Sequence, residues 1–128
     1  MKAGEACPCG SGKAYGACCG RCHEGEPAPT AEALMRSRYS AFVLGLADYL
    51  LATWHASTRP ERLDLNEEPA PKWLGLEVKR HQPQDDSHAV VEFVARYRVG
   101  GRGQRLHETS RFVREEGRWF YVDGEFKQ

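Results

Sequence analysis

Hydrophobic and polar positions divide the chain into an irregular start, a helical middle and a long stretch of alternation. From residue 31, Leu34, Met35, Ala41 and Phe42 recur at three- and four-residue spacing and form one helical stripe, with Arg36, Ser37 and Ser40 turned away from it. Thr30 suits the N-cap, Glu32 the first turn and Gly45 the C-terminal cap, so the spacing predicts a helix over residues 31–44. A second helix is expected from about Leu46 to His55. Thr58-Arg59-Pro60 and the acidic, proline-containing stretch from Glu61 to Lys72 read as a loop with room for one short helical turn.

After Lys72 the period shortens to two. Four strands are expected: Trp73–His81, His88–Val99, Gln104–Glu115 and Arg118–Phe126. In the second, Ala89, Val91, Phe93, Ala95, Tyr97 and Val99 alternate on the core face, while Glu92, Arg96 and Arg98 mark the wet one. Glycine-rich connections at 99–104 and 115–118 make the last three strands a meander. Two helices followed by such a meander bury one core between helix stripe and sheet face, an α+β arrangement.

Two polar side chains fall on these apolar faces. Arg38 lies in the helix stripe. A Gly101-Arg102 turn would place Tyr97 opposite Leu106, Ala95 opposite Glu108, Phe93 opposite Ser110 and Val91 opposite Phe112, which brings Glu108 and Ser110 inward. A buried arginine and a buried carboxylate are expected to pair, directly or through one water, because either charge alone is costly to bury. Arg38, Glu108, Ser110 and Tyr97 are therefore candidates for a closed ion pair or for the polar lining of a small-molecule pocket. Trp54, His55 and Arg59 form a second candidate group, with Trp54 suited to the core, His55 to a helix end and Arg59 to an anion. The last hairpin admits two registers, which turn opposite faces of residues 119–123 inward. His81, His88 and His107 share no ligand spacing and read as surface residues.

Composition narrows the classes. The 128 residues suit one domain with a small appendage, and 18 Lys and Arg balance 18 Asp and Glu, so no overall basic field recruits nucleic acid or membrane. No apolar run approaches the roughly 20 residues that cross a bilayer, and nothing near Met1 has the pattern of a signal peptide. A cytoplasmic protein is expected. The five cysteines, however, all lie in the first 22 residues: Cys7, Cys9, Cys18, Cys19 and Cys22. A disulfide framework would be even in number and spread over the fold. Two tight pairs, Cys7-Pro8-Cys9 and Cys18-Cys19, suit four thiolates converging on one ion, and an all-sulfur tetrahedron selects zinc. Cys22-His23 offers another pair, from which either residue could replace a ligand.

The run Cys7-Pro8-Cys9-Gly10-Ser11-Gly12-Lys13-Ala14-Tyr15, followed by Cys18-Cys19-Gly20, resembles the SEC-C motif, a zinc-binding knuckle also found at the tail of the SecA translocation ATPase. Leu34-Met35-Arg36-Ser37-Arg38-Tyr39-Ser40-Ala41-Phe42, Thr53-Trp54-His55, Trp73-Leu74-Gly75-Leu76, Phe93-Val94-Ala95-Arg96-Tyr97 and Ser110-Arg111-Phe112 resemble the YchJ-like family of bacterial proteins. These resemblances imply a zinc knuckle at 1–23 with Cys7, Cys9, Cys18 and Cys19 as ligands, a linker at 24–30, and a nuclear-transport-factor-2-like (cystatin-like) cone at 31–128. They also imply docking of the knuckle on a protein partner. Ribosomal RNA and a small molecule in the cone are the alternatives. No catalytic constellation stands out: the cysteines are in the knuckle and no serine has an activating neighbour. A binding module is thus expected ahead of an enzyme.

Overall fold

The computed structural model describes residues 2–65 and 70–126. Three helices precede a four-stranded sheet: α1 (Cys19–His23), α2 (Ala31–Leu44), α3 (Ala47–Ala52), β1 (Lys72–Pro83), β2 (His88–Val99), β3 (Arg102–Glu115) and β4 (Arg118–Phe126). The sheet is an antiparallel meander in the order β1-β2-β3-β4, and α2 lies across its inner face. Leu34, Met35 and Tyr39 of α2 meet Ala89, Val91, Phe93 and Ala95 of β2 and Phe112 of β3 in one buried cluster. Helix α2 begins and ends where its caps require. Thr30 accepts from the Ala33 amide at 3.0 Å, and Gly45 takes the left-handed conformation (φ 74°) and donates back to Ala41.

Helix α3 is shorter than its apolar run suggested. Thr53, Trp54 and His55 leave the helix and pair with β4: the Tyr121 amide donates to the Thr53 carbonyl and the His55 amide to the Tyr121 carbonyl. That pairing stitches the end of α3 to the sheet. Residues 61–65 form no helical turn, and 66–69, the rest of the stretch where one was expected, lie outside the described residues.

The β2–β3 hairpin differs from expectation by two residues. The turn is Gly100-Gly101, both at positive φ (58° and 80°), with Val99 opposite Arg102. Two left-handed residues make the turn that matches the twist of paired strands, and glycine enters that region without a steric cost. Phe93 therefore faces Glu108, and Val91 faces Ser110. A shift of two preserves side-chain parity, so Glu108 and Ser110 still point inward. In the last hairpin Glu115 pairs with Arg118, and a bulge at Val122 resets the alternation. Trp119 and Tyr121 face inward before the bulge, and Gly124 and Phe126 after it.

Helix α2 is buried on more than one face. Ser37 and Ser40, expected to face away from the core, are fully buried. The cysteine knuckle covers them: Cys7, Cys9 and Cys19 belong to the same buried cluster as Ala31 and Leu34. In the stretch at 24–30 Ala28 is buried in that cluster and the other six residues are exposed.

Candidate metal centre and cone cavity

A short hairpin builds the first half of the metal centre. Ala6 pairs with Ala14, and the Cys7 amide donates to the Lys13 carbonyl. Gly10 sits at its tip with φ 78°, a conformation open to glycine, and the Cys-Pro-Cys-Gly sequence thereby folds back on itself. A 3-10 turn at Tyr15–Ala17 leads through Cys18, the N-cap, into α1, whose first residue is Cys19. Gly20 is required there because a Cβ would lie 2.7 Å from the Tyr15 carbonyl oxygen.

The four Sγ atoms of Cys7, Cys9, Cys18 and Cys19 all lie within 4.8 Å of one another, with Cys9 and Cys18 at 3.7 Å. A tetrahedron with zinc–sulfur bonds of about 2.3 Å has edges of about 3.8 Å, so the donor set fits a tetrahedral metal. The electrostatics also call for a cation. Cys9, accepting from Cys19, has its pKa lowered to about 4, and the same contact pushes the Cys19 thiol up. Burial is the main cause of the rise at Cys18. Four crowded thiols cannot all ionise alone, whereas a central cation favours each thiolate.

The surrounding groups come from both parts of the chain. The Ser11 hydroxyl lies 3.1 Å from the Cys18 sulfur, and Ser40 of α2 lies 3.6 Å from that of Cys7. Arg36, held by Glu32, donates to the Cys9 carbonyl at 2.9 Å. Neither alternative ligand joins the cluster. His23 donates from Nε2 to the Ser37 carbonyl at 2.8 Å and accepts at Nδ1 from the Tyr15 hydroxyl at 2.5 Å. Its ring fastens the knuckle to α2, and burial lowers its pKa. Cys22 is half-buried outside the four-sulfur cluster, with burial raising its thiol pKa.

A second candidate site lies inside the cone. A cavity of about 330 Å³ opens between α2 and the inner sheet face, walled by aromatic and aliphatic side chains. Arg38 and Glu108 line it, 6% and 7% exposed, and Ser110 and Trp54 complete the contribution foreseen from the sequence. The two do not pair directly: no Arg38 nitrogen comes within 4.0 Å of a Glu108 oxygen. Arg38 instead donates from Nη1 to the Leu50 carbonyl (2.8 Å) and the Thr53 hydroxyl (2.7 Å). Its guanidinium lies over the rings of Tyr121 and Trp54, 4.7 and 5.1 Å from their centroids. Burial is the main cause of a lowered guanidinium pKa, about 10.

Tyr121 stands between the two charges. Its hydroxyl donates to Glu108 Oε2 at 3.3 Å, and the Ser110 hydroxyl donates to the same oxygen. Gly124 makes room for the carboxylate, since a Cβ there would lie 2.7 Å from the Glu108 carboxyl carbon. The sequence did not single out Tyr121, because its facing depended on the last hairpin's register and on the bulge. Tyr97 packs on Trp73 (5.3 Å between centroids) outside the cavity. His55 lies outside it too, between Ser57 (2.7 Å) and Glu115 (3.0 Å), and Arg59 is exposed on the surface. The three remaining histidines, read as surface residues, are apart from one another: His107 meets Glu92, His88 meets Asp85 and His81 approaches Glu32.

Comparison with known proteins covers both sites. Residues 30–124 match the model described as YchJ, middle NTF2-like domain, and residues 5–21 match the SEC-C motif. A UPF0225 protein of Bordetella parapertussis is 62% identical over 125 residues, spanning 95% of this chain and 93% of its own. Another from Chromobacterium violaceum is 62% identical, spanning 96% and 94%. Among solved structures, a SEC-C motif containing protein from Rhodopseudomonas palustris superposes with a TM-score of 0.83 at 37% identity over 95% of this chain and 98% of that one. A second, from Psychrobacter arcticus, gives 0.79 at 30% identity over 98% and 85%. No described helix is long and apolar enough to cross a membrane.

Proposed function

The chain belongs to the YchJ-like, UPF0225 family of SEC-C proteins, and from that premise we propose that it is a small-molecule-binding cone stapled by a structural zinc ion. Zinc is the ion we assign to Cys7, Cys9, Cys18 and Cys19, because four closely set sulfurs suit a soft, tetrahedral, redox-silent metal. Three of those cysteines are buried against α2, so the metal's first task is to hold the knuckle on the cone. Docking of the knuckle on a protein would then use its outer surface, where Lys13 is exposed.

The observation that carries the ligand reading is that Arg38 and Glu108 line one apolar cavity without pairing to each other. Local acceptors and two rings hold Arg38 away from Glu108, so each charge keeps hydrogen-bonding atoms for a partner in the space between them. Fragment screening by amide NMR tests this. Hits should shift residues 93–95 and 106–110, and Ala95→Phe, which fills the cavity, should abolish them; Leu106→Trp serves if that variant does not fold. Hits that cluster elsewhere, or persist in a folded filled-cavity variant, overturn the reading.

A further inference from the structure

The charge arrangement inside the cone also says what kind of molecule it takes, an inference that rests on the ligand-binding reading above. Both hydrogen bonds that Arg38 makes to the protein leave from Nη1, and both that Glu108 accepts end on Oε2. The remaining Arg38 nitrogens and Glu108 Oε1 are therefore unused. They are not sealed in protein either: among the described residues, the one buried side-chain oxygen or nitrogen without access or partner is Thr109 Oγ1. Since Arg38 and Glu108 are almost fully buried and both line the cavity, the surface their free atoms retain is the cavity's own.

The wall thus offers a strong donor at one point and a strong acceptor at another, with the Tyr121 ring and hydroxyl between them. The two charges cancel, and among the described residues no other charged residue lines the space. A carboxylate ligand would gain from Arg38 and be repelled by Glu108. An amidinium would gain from Glu108 and be repelled by Arg38. In a weakly screened interior both penalties are large. An uncharged group with an acceptor beside a donor meets both walls with charge-assisted hydrogen bonds and no repulsion. The rest of the space is apolar and bounded by flat rings, among them Tyr39, Phe42, Trp73 and Phe93. Its volume sits at the lower end of the about 300–1,000 Å³ typical of small-molecule sites. We infer that the cone binds a net-neutral, flat molecule with a carboxamide- or lactam-like edge, its carbonyl toward Arg38 and its N–H toward Glu108.

Three probes on one skeleton test the inference: 2-naphthamide, 2-naphthoate and 2-naphthamidine, titrated into the zinc-loaded full chain and followed by amide NMR. The amide should bind at least about tenfold more tightly than either ion. Glu108→Gln should reverse the order in favour of 2-naphthoate, and Arg38→Met in favour of 2-naphthamidine. If one variant fails to fold, the other and the parent protein still decide between the three probes. Binding of all three with equal affinity, or preference for one ion in the parent protein, overturns the neutral-ligand inference and leaves a ligand-binding cone standing. Failure of all three to perturb cavity residues in any form overturns both.

Discussion

Replacing Arg38 with methionine separates a charge kept for packing from one kept for a ligand. The side chain is 6% exposed and its pKa has fallen from the ordinary 12.5 to about 10, mainly through burial. A fall of that size means the charge sits at a disadvantage of roughly 3 kcal/mol relative to water. The substitution removes two hydrogen bonds, but neither acceptor is left alone. The single Thr53 hydroxyl proton is shared between the Tyr49 carbonyl at 2.8 Å and, more weakly, the Leu50 carbonyl at 3.3 Å. The stacking on Trp54 and Tyr121 is lost, and a thioether against the same rings restores part of it, about 0.3–1.5 kcal/mol. Arg38 also gives up its attraction to Glu108, but no direct ion pair is broken and Tyr121 and Ser110 still donate to that carboxylate, so gain and loss nearly offset and stability should change by less than about 1.5 kcal/mol in either direction. Urea unfolding followed by tryptophan fluorescence measures it. A loss of about 3 kcal/mol or more, the cost of breaking a buried ion pair, would refute the reasoning and return Arg38 to a structural role.

Two further outcomes follow from the same structure. Chelating metal held by the cysteines, or changing Cys9 to serine, should lower the unfolding free energy of the whole chain by roughly 2–4 kcal/mol, because loss of the knuckle uncovers Leu34 and its neighbours on α2; an unchanged unfolding transition for the cone, measured by circular dichroism, would show instead that the knuckle folds apart from it. Raising the pH should unfold the protein through its buried phenols: burial pushes Tyr49 up to about 12 from 10.0 and raises Tyr121 too, so the stability they contribute is whole below pH 10 and lost as the pH climbs through 12. Phenolate absorbance rising in step with the loss of secondary structure is the expected signature, and free titration of all five tyrosines in a folded chain would contradict it.

Much of this architecture is legible in the residues. Thr30 and Gly45 mark α2 because each supplies what a helix end lacks. The paired cysteines mark the candidate metal centre because their spacing leaves few other uses for them. The inward facing of Glu108 is legible even though the turn is Gly100-Gly101 rather than Gly101-Arg102, since a two-residue slip conserves parity. What the sequence hides is long-range. Ser37 and Ser40 look like a solvent face until the knuckle is folded over them, and no periodicity records that second partner. Tyr121 is hidden by a bulge at Val122, one residue that decides which side chains of β4 face the cavity. The separation of Arg38 from Glu108 is likewise a matter of three dimensions: local acceptors on α3 and two aromatic rings hold the guanidinium where a pairwise argument would have closed the salt bridge.

The claim at the centre of this account is that the space between Arg38 and Glu108 is a seat for a neutral ligand, and a crystal of the zinc-loaded protein soaked with 2-naphthamide tests it most directly. The account predicts the naphthalene body among the cavity's rings, the amide oxygen on Arg38 and the amide nitrogen on Glu108. Arg38 and Glu108 joined in a direct ion pair, with the cavity closed and the probe elsewhere, would contradict it.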